Sequence, residues 1–441
     1  MANLISDMAR SIALPRLKRA AGLVTRRLPI PQPVLLVGPG AAGRLGRTVG
    51  NFGHRKVMLV TDADVAGLGL HLTVLDALAA AGTPVLVFDA VTPDAPIAGV
   101  EQGIALFTAQ GCDAVVAVGG GSVIDAAKVI ALCAANGKHP RDLVGYFKAS
   151  HAPAPIYAVP TTAGTGSEVT VAAVVSDPAE GSKLVIADTR IVPTLAALDP
   201  ELMLGLPPAI TAATGMDALT HAVEAFIGGW ATTYTDHMAL AAVGMIFKNL
   251  PLAWRDGGNL EAREQMALAS TFAGLAFTRA NVGNVHAIAH QLGGKYHTPH
   301  GLANAILLPG VLRFAADATG PKLAALAVRA GLGVLHDGQA TLADRFLDGV
   351  EALSRTLGIP RHLPALQAAD IPALAAAACW EADTHYPVAR RMTQEACEAL
   401  LQAVLPAKPR PKLPARSPGR RGTAAAAKRP RRATIGHDQA P

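Results

Sequence analysis

Charge is scarce in this chain. Asp, Glu, Lys and Arg make up 16% of its 441 residues, whereas hydrophobic residues make up 51%. Such a chain can bury a sizeable core and is not mostly disordered. Long apolar runs are also lacking. None reaches the roughly 18 uncharged residues that a membrane-spanning helix needs, so no transmembrane segment is expected. Cysteine is rare and shows no pairing pattern: Cys112, Cys133, Cys379 and Cys397 form no CxxC. Reduced thiols in a cytoplasmic protein follow, rather than disulfides or a metal–thiolate cluster. Internal repeats are absent. The first 30 residues lack the continuous apolar core and small-residue cleavage site of a secretory signal.

The formal net charge of +6 suggests an acidic partner, but its placement argues otherwise. Ten of the 39 basic residues and one of the 33 acidic ones lie in 406–441, which leaves residues 1–405 with a net of −3. A nucleic-acid binder should carry its basic patch on the folded part. The tail could hold phosphates electrostatically through Arg420, Arg421, Lys428, Arg429, Arg431 and Arg432. No aromatics interleave there for base stacking. The tail therefore reads as a disordered extension, and no nucleic-acid partner is expected. Residues 1–30 hold six basic residues and one acid at helical apolar spacing. They read as a helical extension ended by Pro29, Pro31 and Pro33.

Short apolar runs at Val34–Val37, Val57–Thr61, Val85–Phe88, Ala114–Val118 and Ile156–Val159 read as buried strands. Helical stretches such as Leu70–Ala81 and Ile97–Gln110 separate them. This alternation implies a parallel sheet covered on both faces. From about Pro207 the strands stop: Ala209–Gly228, Thr235–Asn249, Leu260–Ala276, Val285–Leu292 and Thr393–Leu405 read as helices. The expected organisation is an α/β dinucleotide-binding domain over 31–205 and an all-helical domain over 206–405, flanked by the two extensions.

Two glycine clusters follow strands. Gly38, Gly40 and Gly43 form G-x-G-x-x-G, and Asp62 ends the next strand, 19 residues after Gly43. That is the arrangement in which an acid takes a ribose hydroxyl and repels a 2′-phosphate, although Asp62 could also cap a helix. Gly119-Gly120-Gly121-Ser122 opens another helix. Three glycines let the backbone approach a phosphate at the positive end of the helix dipole, with Ser122 at the N-cap and Asp125 and Lys128 nearby. The loop from Pro160 to Glu168 is dense in hydroxyls and glycines and sits at another strand end, where open α/β sheets bind ligands.

Asp217 and His221 lie four apart on one helix, and His286 and His290 repeat the spacing on another. His297 and His300 follow, so five of the 14 histidines gather in two segments. Three imidazoles and a carboxylate suit Fe²⁺ or Zn²⁺. Spacing alone does not choose among His286, His290, His297 and His300.

With these segments in place the sequence resembles the iron-containing (group III) alcohol dehydrogenase family. The resemblance rests on Gly119–Lys128 (GGGSVIDAAK), Pro160–Thr170 (PTTAGTGSEVT), Asp199–Leu202 (DPEL), Thr214–Glu224 (TGMDALTHAVE) and His286–Pro309 (HAIAHQLGGKYHTPHGLANAILLP), and spans about 31–405. It implies a dehydroquinate-synthase-like fold, with an α/β nucleotide domain and an all-α metal-binding domain. It implies metal ligands Asp217, His221, His286 and His300, with His290 beside the metal as a catalytic proton carrier. NAD would lie on Asp62, Gly119, Gly120, Gly121, Ser122, Thr161, Thr162, Thr165 and Ser167, with Lys183 near. Gly38–Gly43 becomes a structural turn. Asp94-Ala95-Pro96 departs from the family's usual Asn-Pro-Thr.

The expected activity is NAD-dependent interconversion of a small primary alcohol and its aldehyde, a divalent metal (Fe²⁺ first, Zn²⁺ second) polarising the oxygen. A homo-oligomer, dimer or larger, is expected. Phe226, Phe277, Ile288 and Leu292 suggest an apolar substrate pocket. A lyase or cyclase of the dehydroquinate synthase type is the nearest alternative. It would need several cations for a phosphorylated sugar acid, and the helical site segments offer chiefly Lys295 and Arg279. The remote alternative is nucleic-acid or membrane association through the tail.

Overall fold

The computed structural model describes Gly22 and residues 27–406. Of the expected N-terminal helical extension over 1–30, residues 1–21 and 23–26 lie outside the described residues, as does the basic tail from 407. The first half alternates as the apolar runs require: β1 (Val34–Val37), α1 (Ala41–Gly50), β2 (Val57–Asp62), α2 (Ala63–Gly67), α3 (Leu72–Ala80), β3 (Val85–Val91), α4 (Ile97–Ala109), β4 (Ala114–Gly119), α5 (Gly121–Asn136), β5 (Gly145–Tyr146), β6 (Ile156–Pro160), β7 (Ala172–Asp177), β8 (Ser182–Ala187) and β9 (Leu195–Leu198). Six of these strands form one parallel sheet in the order β1-β9-β6-β4-β2-β3. Its central strands are buried on both faces, as Val57–Val60 and Ala114–Val118 are in full.

Four strands escape the reading of apolar runs. β9 is Leu-Ala-Ala-Leu, whose alanines serve helix and strand equally, yet it sits between β1 and β6. β7 and β8 form an antiparallel hairpin joined near Gly181 (φ +58°), and β7 alternates in burial. With β5 they make a second sheet.

From Pro208 the described residues are helical: α6 (Pro208–Ile227), α7 (Thr233–Arg255), α8 (Leu260–Ala280), α9 (Asn284–Tyr296), α10 (His300–Arg329), α11 (Gln339–Thr356), α12 (Ile371–His385) and α13 (Gln394–Ala403). The fold is therefore an α/β N-terminal half and an all-α C-terminal half, as expected. α10 is long and apolar enough to cross a membrane by length and composition, but half of that stretch is buried inside the protein. Its Leu308, Leu312 and Leu323 join one helical core with Phe346 of α11 and Leu219 of α6.

The β6–β7 segment is anchored from inside. Lys128 on α5 is fully buried, and its Nζ donates to Ser167 Oγ, Thr170 Oγ1, Thr170 O and Ala172 O at 2.9–3.0 Å. Burial pushes this amine down to about 8, against the pull of Asp125 and Glu168. Ser167 donates onward to Asp125 at 2.5 Å. A buried charge is tolerable only with such partners. The same loop then touches α8 at Gly166, whose φ is +61° and where an added Cβ would lie 2.7 Å from Gly274 Cα. Gly166→Ala is therefore both strained and sterically blocked by backbone. It should cost about 2–4 kcal/mol, read as a lowered urea midpoint; an unchanged midpoint would show that this contact yields freely.

Candidate metal centre and cofactor cleft

Asp217, His221 and Glu224 follow at i, i+4 and i+7 on α6, so one helix face presents all three. His286 lies in the first turn of α9, and His300 is the first residue of α10. The structure brings Asp217, His221, His286 and His300 together, one ligand-capable atom from each lying within 4.8 Å of the others. His290 and His297 stand outside that group. The His221 ring stacks on His286 (4.6 Å between centroids) and on Phe277 (4.2 Å). Asp217, His221 and His286 are buried and His300 is half-buried.

The donor set fits a divalent cation on its own chemistry. Burial raises the Asp217 carboxyl and lowers the His221, His286 and His300 imidazoles, so the rings are held neutral, the form that ligates. His221 Nδ1 is buried with no hydrogen-bond partner. A ligand-capable nitrogen kept from water without a partner is costly, and neutral imidazoles beside a carboxylate are the donor set that a divalent cation takes.

Two residues around the set were missed from sequence. Glu224 accepts from Gly283 N and Val285 N, at 2.8 and 2.7 Å, and pairs with His286 Nδ1 at 2.7 Å. Burial pushes Glu224 up to about 7, against those donors; ionised, it can only accept, so His286 carries its proton on Nδ1 and offers Nε2 inward. Its spacing from Asp217 was a signal in plain view. Asn304, one turn after His300, is fully buried and donates through Nδ2 to Asp217 Oδ1 at 2.6 Å. The same nitrogen lies 3.2 Å from His286 Nε2 and 3.1 Å from His300 Nε2.

His290, one turn after His286, pairs through Nδ1 with Glu381 Oε1 at 2.6 Å and stacks on His300. Phe226, Ile288 and Leu292 correct the expected substrate pocket. They are buried in the helical core, whereas Phe277 stacks on a candidate ligand, His221.

Several of the residues expected to hold NAD come from adjacent strand ends. β4 pairs with β6 on one side and β2 on the other, so Gly119, Pro160 and Asp62 end neighbouring strands. The helix after β4 starts earlier than expected: Gly120 is its N-cap and Gly121 its first residue. Ser122 therefore lies inside the first turn, its Oγ accepting from Asp94 N at 3.1 Å. Thr162 and Thr165 are half-buried, and a Cβ at Gly121 would lie 2.6 Å from Thr165 Cγ2. Thr161 is buried. The Ser167 hydroxyl does not reach the cleft, since Asp125 and Lys128 engage it. Asp62 caps α2 through Oδ1, which accepts from Val65 N at 2.8 Å. At the first glycine cluster, Glu201 and Asp199 take the N–H groups of Gly40 and Ala42. Carboxylates there repel a pyrophosphate, so the turn is structural.

Lys183 pairs with Asp94 Oδ1 at 2.8 Å. Asp94 and Ala95 are both left-handed, with φ of +64° and +44°. The pair borders a cavity of about 120 Å³, also lined by Ser176, Asp177, Gly293 and His297. Lys183 thus spans from the β3–α4 loop to α9, the helix that carries His286.

Two family models match the chain: "Iron-containing alcohol dehydrogenase" over residues 32–200 and "Fe-containing alcohol dehydrogenase family, C-terminal" over residues 211–405. The NAD-dependent methanol dehydrogenase of Bacillus methanolicus is 40% identical over 328 residues, covering 74% of this chain and 86% of its own. The 1,3-propanediol dehydrogenase of Klebsiella pneumoniae is 42% identical over 342 residues, covering 77% and 88%. A crystal structure of a 1,3-propanediol oxidoreductase superposes with a TM-score of 0.82 at 39% identity, over 85% of this chain and 98% of its own.

His286→Ala should abolish metal retention by elemental analysis. Glu224→Gln, which keeps the volume but weakens the hold on Nδ1, should lower metal affinity about 10- to 100-fold. Equal affinity in the Glu224 variant would mean that His286 needs no help in orientation.

Proposed function

The chain belongs to the iron-containing alcohol dehydrogenase family and is an NAD-dependent, metal-containing alcohol dehydrogenase; we propose that it interconverts a small primary alcohol and its aldehyde, with Asp217, His221, His286 and His300 holding a divalent metal. The observation that carries the site reading is the convergence of one carboxylate and three imidazoles, mostly buried and backed by Glu224 and Asn304. Fe²⁺ is the first expectation and Zn²⁺ the second. When bound, such a metal supplies electrophilic polarisation of the substrate oxygen.

The chain's own groups supply the rest. Gly119, Gly120, Gly121 and Ser122 form the start of α5, where free N–H groups and the dipole favour a pyrophosphate. Asp62 keeps one oxygen beyond its cap for a ribose, and its charge disfavours a 2′-phosphate. Thr161, Thr162 and Thr165 border the cleft from the neighbouring strand end, and Ser167 supports that loop from within. Lys183 adds a cation held in place by Asp94. His290 carries the hydroxyl proton away. Relatives named for methanol and 1,3-propanediol favour short, unbranched alcohols. Four free cysteines fit the cytoplasm. The edge strand β1, with Val34 and Val37 exposed, fits assembly into a dimer or larger homo-oligomer.

The decisive experiment is metal analysis of purified protein followed by NAD reduction over a panel of alcohols. Metal at one equivalent and turnover of short primary alcohols are expected; full turnover by a His300→Ala variant without metal would sink the assignment. Asp62→Gly should raise kcat/KM with NADP relative to NAD by about tenfold or more, and an unaltered ratio would remove Asp62 from the ribose.

A further inference from the structure

Glu381 lies on α12, about ninety residues from the helix that it faces, and plays no part in the metal set. Its Oε1 lies 2.6 Å from His290 Nδ1 and 2.5 Å from the Tyr386 hydroxyl. Its Oε2 accepts from Gln291 Nε2 at 2.6 Å. Gln291 is the next residue after His290, so one carboxylate clasps two consecutive side chains of α9. His290 and Glu381 are mostly buried, with side-chain exposures of 14% and 15%. Gln291 Nε2 can only donate, and the Tyr386 hydroxyl donates to Oε1 in this arrangement. A carboxylate receiving both bonds is satisfied in its ionised form, which accepts and does not donate. Burial alone would raise Glu381, but the His290 charge and the bonds from His290 and Tyr386 hold it below the ordinary carboxylate range.

We propose that Glu381, braced by Tyr386 and Gln291, is the positioning residue of His290: it keeps the His290 proton on Nδ1 and leaves Nε2 as the basic nitrogen. A neutral imidazole has one donor and one acceptor nitrogen, and the partner of the first decides which is which. A carboxylate on Nδ1 also stabilises the imidazolium that forms when Nε2 takes a proton. The inference rests on the reading of His290 as the proton carrier. No sequence signal marks it, because Glu381 and His290 meet only where α12 packs beside α9.

The test is a double-mutant cycle in the metal-loaded enzyme, with kcat, KM, bound metal and thermal midpoint measured for each form. Glu381→Gln keeps the side-chain volume but can present an N–H to Nδ1. It should lower kcat roughly 10- to 100-fold while KM for the alcohol and metal content hold. In a His290→Ala background the same substitution should change kcat less than about twofold, because its route of action is gone. Equal losses in both backgrounds, or a loss that tracks bound metal, would overturn the proposal. Tyr386→Phe, which removes one brace and little volume, should give a smaller fall in kcat that also vanishes in the His290→Ala background. It serves as the readout should Glu381→Gln fail to fold, and persistence of its effect there would overturn the proposal equally. A His290→Ala variant with undiminished kcat would instead refute the proton-carrier reading itself. A slow His290→Ala beside an unimpaired Glu381→Gln would refute only the role of Glu381.

Discussion

Four acceptor groups, three buried and one half-buried, drawn to within 4.8 Å of one another, set the terms for the helical half. Acceptors out of water repel unless donors or a cation lie between them. The surrounding residues are arranged to make that crowding tolerable. Glu224 ties α6 to the N-terminus of α9 by taking two backbone N–H groups, which places a carboxylate at the positive end of that helix dipole. Asn304 ties α10 to α6 through Asp217. Three helices are thus fixed relative to one another by polar bonds around the centre, and the apolar core of leucines and alanines packs outside them.

The cofactor cleft is coupled to this centre by close backbone approach. An added Cβ at Gly164, in the loop after β6, would lie 2.7 Å from Thr214 Cβ on α6. One at Gly301, beside His300, would lie 2.6 Å from Ala213 O on the same helix. Absent side chains at these points let the loop after β6 and the helices of the candidate metal set meet at van der Waals distance. The Lys128 network then fixes the loop from behind, with Asp125 holding both Ser167 and the Val174 N–H. The rigidity is electrostatic in origin: a fully buried amine cannot move away from its acceptors without losing their compensation.

Much of this was legible in the residues. Fully apolar runs marked β2, β4 and β6, because a parallel strand covered on both faces needs no polar alternation. The i, i+4 spacing marked Asp217 with His221, and glycines after a strand marked the start of α5. Other features depend on partners far away in the chain. Ser167 reads as a cleft hydroxyl until α5 brings Lys128 and Asp125 against it. Phe226, Ile288 and Leu292 read as pocket lining by their nearness to histidines, yet their helix faces turn into the core. Asp94 reads as a departure from a motif, and its meaning comes from Lys183, 89 residues on. Glu224 differs, since its spacing was readable and only its role was not.

His286 and His290 show how one local bond can serve two ends. They lie one turn apart on α9, and each gives Nδ1 to a carboxylate at 2.6–2.7 Å. The difference lies in what else those carboxylates hold. Glu224, on α6, is bound by the backbone N–H groups of Gly283 and Val285 at the start of α9, so the backbone of α9 itself holds the carboxylate that keeps His286 Nε2 toward Asp217 and His300. Glu381, on α12, is bound by the side chains of Tyr386 and Gln291, which can rotate. A ligand must keep its geometry through the whole reaction, whereas a proton carrier must tolerate a change of charge at every turnover. Backbone donors suit the first requirement. Side-chain donors, free to readjust as the imidazole gains and loses its charge, suit the second.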